Sequence, residues 1–269
     1  MKIYVLSENN KTGDFTSEHG LSLYIQQNKN ILFDMGQKDN FLQNAKRFNL
    51  EIKDVNIAVI SHGHYDHGGG LRTFLENNIL SKVYIMDTAF KDYYSTQKDG
   101  VIKYIGLDKD LNSDRIVRLT NDFVIEDGIE TMSHVEKKYP LPLTNKTLYV
   151  DKDGKTNDDF CHEHNLVLKE DFGYLLIAGC AHNGIKNILE HFKKKYNCYP
   201  KVVVGGMHLY SRTGKTESKD EVIKLGEYLL STKAMFYTGH CTGDEAYSTL
   251  KEVMKDKVDN IYTGKIIEL

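Results

Sequence analysis

Residues 61–70 read "SHGHYDHGGG", which places three imidazoles and a carboxylate, His62, His64, His67 and Asp66, on one short piece of chain. Neutral imidazole is the commonest ligand for zinc and also suits iron, and a carboxylate among imidazoles can hold a second divalent ion or orient a bound water. The grouping therefore reads as a metal centre rather than as four unrelated loop residues. Three further imidazoles obey one local rule: His182 in "IAGCAH", His208 in "VGGMH" and His240 in "YTGHC" each follow an apolar run and one or two glycines. A divalent ion held by such groups lowers the pKa of its bound water towards neutrality and polarises a carbonyl or phosphoryl oxygen. The chemistry implied is hydrolysis of an ester or phosphoester.

Elements that could position these groups are visible around them. "VNIAVISH" reads as a buried strand ending at the first histidine, and "GLRTFLENN" as the helix that follows. Carboxyl ends of buried strands are where α/β proteins place their sites. Gly63 suits a tight turn between His62 and His64, and Gly68 to Gly70 suit close passage of the backbone beside a bound group. Further on, the strand-like runs "GYLLIAGC", "KVVVGGMHL" and "AMFYTGHC" alternate with amphipathic helices. In the first helix Ile185, Ile188, Leu189 and Phe192 fall at i, i+3, i+4 and i+7. Ser218/Glu221 and Thr242/Glu245 read as capping boxes that open the next two helices. Near the N-terminus "KIYVLSE", "GLSLYIQ" and "NILFDMG" read as strands and "FLQNAKRFN" as a helix. The pattern is a layered α/β fold forming one domain over 1–269, without internal repeats.

The stretch from about 88 to 165 reads as an irregular, substrate-binding insert. Its tyrosines, Tyr93, Tyr94, Tyr104 and Tyr139, either wall a pocket for a flat or partly apolar substrate or pack and anchor the loop.

Composition narrows the partners. The chain has 269 residues, 40% of them hydrophobic, and a formal charge of −3, so a large core is available and a polyanion-binding face is not expected. No run approaches the roughly 18 apolar residues of a membrane span, and the opening "MKIYVLSENN" lacks a signal-peptide core. A cytoplasmic protein acting on a small molecule, without nucleic acid or membrane, is expected. The four cysteines, Cys161, Cys180, Cys198 and Cys241, form no CxxC pair and read as reduced thiols.

Residues 62–67 also match the HxHxDH signature of the metallo-β-lactamase superfamily, which this chain resembles over nearly its full length. The resemblance implies an αββα sandwich of two mixed sheets with two divalent ions at one edge, zinc first and manganese or iron as alternatives. By position, His62 and His64 would serve the first ion, and Asp66 and His67 the second, with His240 as the late ligand of the second. Asp34 at the end of "NILFD" would orient the HxHxDH loop. Asp66 would also be catalytic, orienting the attacking oxygen or passing its proton to the leaving group.

Where the superfamily carries a histidine before a hairpin and a bridging aspartate after it, this chain has "CHEHNLVLKEDFGYLLIAGCAH". His182 is the favoured third ligand of the first ion, because it follows a strand end as His240 does. Cys180 is next, and His162 and His164 sit in a polar stretch that reads as exposed. No aspartate takes the bridging place, which leaves a one-ion or water-bridged centre open. His208 either completes the second ion or contacts substrate, and His19 in "EHGLS" either reaches the metal edge or is a loop residue.

Together, "EHGLS", "ILFDMG", "SHGHYDHGGGL", "GCAHNGIKNI", "GGMHL" and "GHCTG" resemble the branch called dihydropterin ribofuranosylaminobenzene 5′-phosphate synthase-like, or metal-dependent hydrolase. That branch implies an alternative: a pterin-condensing synthase in which the ions neutralise a departing pyrophosphate. An iron-dependent redox protein is a further alternative.

Overall fold

Short apolar runs form the strands of this protein, and the connections between parallel strands are long enough to carry a helix, as a parallel crossover requires. The structure, a computed structural model, describes residues 1–211, 213 and 216–269. The chain divides into two compact units, one of Met1–Lys91, Ile105–Thr120 and Ile261–Leu269, the other of Asp92–Tyr104 and Asn121–Asn260.

The first unit is built on a seven-stranded mixed sheet. Its strands are β1 (Lys2–Ser7), β2 (Ser22–Gln26), β3 (Asn30–Phe33), β4 (Ile57–Val59), β5 (Lys82–Met86), β8 (Ile116–Leu119) and β17 (Ile266–Glu268), in the order β17-β1-β2-β3-β4-β5-β8. Pairing is antiparallel from β17 to β3 and parallel from β3 to β8. Helix α1 (Asn40–Arg47) crosses from β3 to β4, and α2 (Tyr65–Gly68) and α3 (Leu71–Asn77) cross from β4 to β5. Phe41 of α1 and Leu71 and Phe74 of α3 bury their side chains in one cluster with Leu32, Ala58 and Val83 of the sheet.

The second unit repeats the plan. Its seven strands are β9 (Phe123–Glu126), β10 (Ile129–Met132), β12 (Asn165–Glu170), β13 (Gly173–Ile177), β14 (Val202–Val204), β15 (Met235–Thr238) and β16 (Val258–Asn260), ordered β16-β15-β14-β13-β12-β10-β9. The run from β13 to β16 is parallel and the remainder antiparallel. Helices α4 (Ile185–Tyr196), α5 (Lys219–Ser231) and α6 (Asp244–Met254) carry the three crossovers. A small antiparallel sheet of β6 (Tyr94–Thr96), β7 (Ile102–Tyr104) and β11 (Leu148–Tyr149) completes this unit. Among the described residues no helix is long and apolar enough to cross a membrane.

Two local readings change. The stretch 88–165 is not irregular throughout, for it holds β6 to β11. These strands are at most four residues long and several are half exposed, so neither alternation nor a continuous apolar run marks them. The Ser218 cap forms, its hydroxyl accepting the Glu221 N–H at 3.3 Å. The Thr242 cap does not: Gly243, at φ +77°, takes the N-cap position of α6. The Thr242 hydroxyl instead accepts the Met207 N–H at 3.0 Å and pairs with the Thr238 hydroxyl at 2.6 Å, tying the ends of β14 and β15 together.

Helix α4 matches its periodicity, with Ile185, Ile188, Leu189 and Phe192 all buried, and it stops at Asn197 in the left-handed conformation that suits asparagine. Phe192 is fully buried in the core of the second unit. Phe192→Ala is expected to lower unfolding free energy by roughly 3–5 kcal/mol through lost burial and the cavity left behind, read from the shift of a urea unfolding curve.

Candidate metal centre

In the first unit the parallel strands β3 and β4 end side by side and deliver Asp34 and Ser61–His62. Asp34 is fully buried and held at φ +58°, a conformation uncommon for a residue with a side chain. Its carboxylate accepts the Ser61 N–H at 2.7 Å and the Ser61 hydroxyl at 2.8 Å, and faces His67 Nδ1 at 2.6 Å.

These bonds settle which ring nitrogens are left for a ligand role. A carboxylate only accepts, so His67 donates from Nδ1 and presents the lone pair of Nε2. Ser61 spends its one hydrogen on Asp34, so at 2.8 Å from His62 Nδ1 it accepts, and His62 likewise presents Nε2. The expected part of Asp34, orienting the HxHxDH loop, thus has a physical form.

The His62 ring lies 4.6 Å from the His64 ring and 4.1 Å from the His67 ring, centroid to centroid. Asp66 is buried with its Oδ2 3.2 Å from His19 Nε2 and 3.9 Å from His67 Nε2. His19 therefore belongs with Asp66.

Close passage at Gly69 and Gly70 is to the protein's own backbone rather than to a bound group. A Cβ on Gly69 would meet the Gln37 carbonyl oxygen at 2.2 Å, and one on Gly70 the Met35 carbonyl oxygen at 2.3 Å. The His67 carbonyl accepts the Met35 N–H at 2.7 Å. The glycines let the segment after Asp34 lie flat against the HxHxDH turn.

In the second unit the parallel strands β13, β14 and β15 deliver Cys180 and His182, His208, and His240. Cys180, His182 and His208 each offer a ligand atom within 4.8 Å of the others, and so do Cys180, His240 and Cys241. Ala181, His208 and His240 have φ of +56°, +49° and +52°.

His182 is fixed from three sides. The Asn145 amide donates to the His182 carbonyl at 2.8 Å, so its oxygen, 3.1 Å from Nδ1, accepts and leaves Nε2 as the lone-pair nitrogen. The Phe160 ring stacks on the imidazole at 4.6 Å with 3° between planes. The Glu163 carboxylate accepts the His182 N–H at 2.6 Å, the Asn183 N–H at 2.9 Å and the Asn183 amide at 2.8 Å. Burial pushes the Glu163 carboxyl above its ordinary range, while these N–H groups pull the other way.

His208 rings against His182 at 4.2 Å. Both of its ring nitrogens are buried, and neither has a hydrogen-bond partner among the described residues. Buried polar atoms are almost always satisfied, so this imidazole fits a metal ligand. Its backbone N–H donates to Cys241 Sγ at 3.3 Å. Burial raises the Cys241 thiol, but contacts with Cys180 and His208 and the charge at His240 outweigh it and hold the thiol well below its usual value. A donor set of imidazoles and thiols suits zinc.

His162 and His164 are not exposed; both are fully buried. His162 Nε2 lies 2.9 Å from Asp158, and its ring packs 4.1 Å from that of Tyr93, so it serves the interior of the unit. The sequence reading missed Ser61, Asn145, Phe160, Glu163 and Cys241. Ser61 and Cys241 adjoin His62 and His240, whereas Asn145 is 37 residues from the ring it orients and carries no local signal.

The pattern of the metallo-beta-lactamase superfamily matches residues 18–150. The 7,8-dihydropterin-6-methyl-4-(beta-D-ribofuranosyl)-aminobenzene-5′-phosphate synthase of Methanocaldococcus jannaschii is 29% identical, over 100% of this chain and 96% of its own. An uncharacterized protein of the same organism is also 29% identical, over 98% and 99%. Among solved structures, one described as a metal-dependent hydrolase of the beta-lactamase superfamily superposes with a TM-score of 0.84 at 29% identity, covering 100% of this chain and 99% of that one. A diphosphatase of the PhnP family, at 13% identity and a TM-score of 0.54 over 100% and 97%, shares the fold. The two mixed sheets and these likenesses match the fold class read from the sequence.

If Asp34 and Asn145 set the tautomers as argued, Asp34→Ala and Asn145→Ala should each weaken metal binding by roughly 10- to 100-fold, as loss of a ligand's outer partner does. Competition with a chromophoric chelator measures it.

Proposed function

We propose, from the premise that the chain belongs to the metallo-β-lactamase superfamily, that it is a hydrolase using a metal-activated water on an ester or phosphoester bond of a small molecule. The observation that carries the reading is the set of imidazoles whose Nδ1 is engaged by a protein oxygen, in His62 and His182 after strand ends and in His67 on α2, so that each presents Nε2. A metal-ligating histidine almost always donates its other ring N–H to a protein oxygen in this way.

The groups that would hold divalent ions are His62, His64, Asp66 and His67 in the first unit, and Cys180, His182, His208 and His240 in the second. When bound, such ions acidify water and neutralise charge on a carbonyl or phosphoryl oxygen. The chain's own residues supply the rest. Asp34 and Ser61 hold the rings of His62 and His67; Asn145, Phe160 and Glu163 hold His182. Asp66 takes a proton from the attacking oxygen or hands one to the leaving group, and His19 Nε2 at 3.2 Å steadies that carboxylate.

The synthase of Methanocaldococcus jannaschii favours a second reading, condensation with a departing pyrophosphate. Both reactions need the same ions beside an anionic oxygen, so the ligand set serves either. They differ in product: condensation releases pyrophosphate, hydrolysis does not.

Metal analysis of the purified protein by mass spectrometry should find about two equivalents of a divalent ion, zinc first. Bis(p-nitrophenyl) phosphate or p-nitrophenyl acetate should be hydrolysed, and Asp66→Asn should cut kcat by about 10²- to 10⁴-fold, the usual worth of a proton-transferring group. A protein free of metal, or full activity in Asp66→Asn, would overturn the reading.

A further inference from the structure

The second unit contains a cavity of about 780 Å³ that no step above uses. Its walls come from the Tyr139–Leu143 segment, the start of α4 and one face of α5. The volume falls within the range of small-molecule sites and far exceeds that of a trapped water.

The cavity is preformed. Asn187 of α4 pins the segment that carries Tyr139, its oxygen accepting the Lys138 and Tyr139 N–H groups at 3.0 and 2.7 Å and its amide donating to the Tyr139 carbonyl at 3.0 Å. The Tyr228 ring on α5 is fixed through its hydroxyl, which donates to Glu190 at 2.7 Å. Both tyrosines line the same space, and so does Leu225.

The lining includes neighbours of the candidate ligands. Phe160, which stacks on His182, and Asn145, which orients it, both line the space, and so do Met207 and Leu209 on either side of His208 in the chain. Its charges are unequal in availability. The Glu217 carboxylate accepts the Leu143 N–H, Asp158 faces His162, and Glu221 pairs with Lys224 at 2.6 Å. Lys186 instead stands over the rings of Tyr139 and Tyr228, with Nζ 3.9 and 4.7 Å from their centroids. The lining thus sets a cation and aromatic and aliphatic side chains around one space, a combination that suits a ring carrying an anionic group.

We propose that this cavity is the subsite for the aromatic, non-reacting part of an anionic substrate whose reacting bond lies at the His182–His208 end. The assignment rests on the metal-hydrolase reading for what reacts, but not for what binds. Binding energy from such a remote ring holds the reacting bond in place. It also selects aryl over alkyl substrates.

The test is isothermal titration calorimetry with two phosphomonoesters, 1-naphthyl phosphate and glycerol 3-phosphate, on the purified protein before and after chelation. The naphthyl ester should bind at least about tenfold more tightly, the worth of burying one aromatic ring. Leu225→Trp, which fills the cavity, and Tyr228→Leu, which removes one platform, should each erase most of that preference while metal content stays unchanged and circular dichroism shows the fold retained. Equal binding of the two esters by the natural protein, or a preference intact in both variants, overturns the subsite. If the protein carries no metal yet keeps the naphthyl preference, the subsite stands and the metal-hydrolase reading falls.

Discussion

An imidazole can serve a metal only through a nitrogen that carries a lone pair, and on a flexible loop it would exchange tautomers and directions freely. This protein removes that freedom with buried oxygens. Asp34 accepts from Ser61 and His67, Ser61 accepts from His62, and Asn145 accepts from His182, and each bond commits the far nitrogen of a ring. The carboxylate of Asp34 can be buried only because it is fully engaged by donors, since an unpartnered buried charge is costly. The order of bonds around it therefore fixes both the loop and the chemistry of its rings.

The backbone makes a matching concession. Asp34, Ala181, His208 and His240 are all left-handed, each at the turn leaving a parallel strand. Such a conformation in a residue with a side chain costs about 1–3 kcal/mol and persists where the surroundings over-determine it. Here they do: β4 and β14 are buried along their whole length, and the His182 loop is bonded through its own N–H groups to Glu163. The parallel half of each sheet is thus the rigid body against which strained turns are held. The antiparallel half has more exposed strands such as β9, and among the groups placed at the centre only His19, ahead of β2, comes from it.

How far the sequence discloses this depends on the range of the interaction concerned. His62, His64, Asp66 and His67 are legible because four ligand types within one turn are a local pattern, and β4, β14 and α4 because burial imposes a local periodicity. Thr242 shows where locality fails: its spacing to Glu245 fits a capping box, but a buried hydroxyl beside Met207 and Thr238 gains more from those partners than from the helix end. His162 and His164 fail the same way, since "CHEH" looks polar in sequence but is folded into the interior, where Asp158 and Tyr93 receive His162. Glu163, between them, is buried on behalf of a loop about 20 residues away. No spacing rule reaches that far.

The departure at the end of β13 has a chemical meaning. Where the superfamily it resembles carries a bridging aspartate, or in some lactamases a cysteine, this chain has Cys180 or His182, with Cys241 close by at the end of β15. Thiolate and imidazole together favour zinc over magnesium or calcium, whose small hard ions prefer oxygen donors. A thiolate also gives one negative charge from a single atom, whereas a carboxylate can offer two oxygens and so hold two ions at once. The buried Cys241 Sγ, within 4.8 Å of ligand atoms of Cys180 and His240, adds a second sulfur to the same group. The second unit thus has the means to balance an ion with sulfur, and the first, through Asp66, with oxygen.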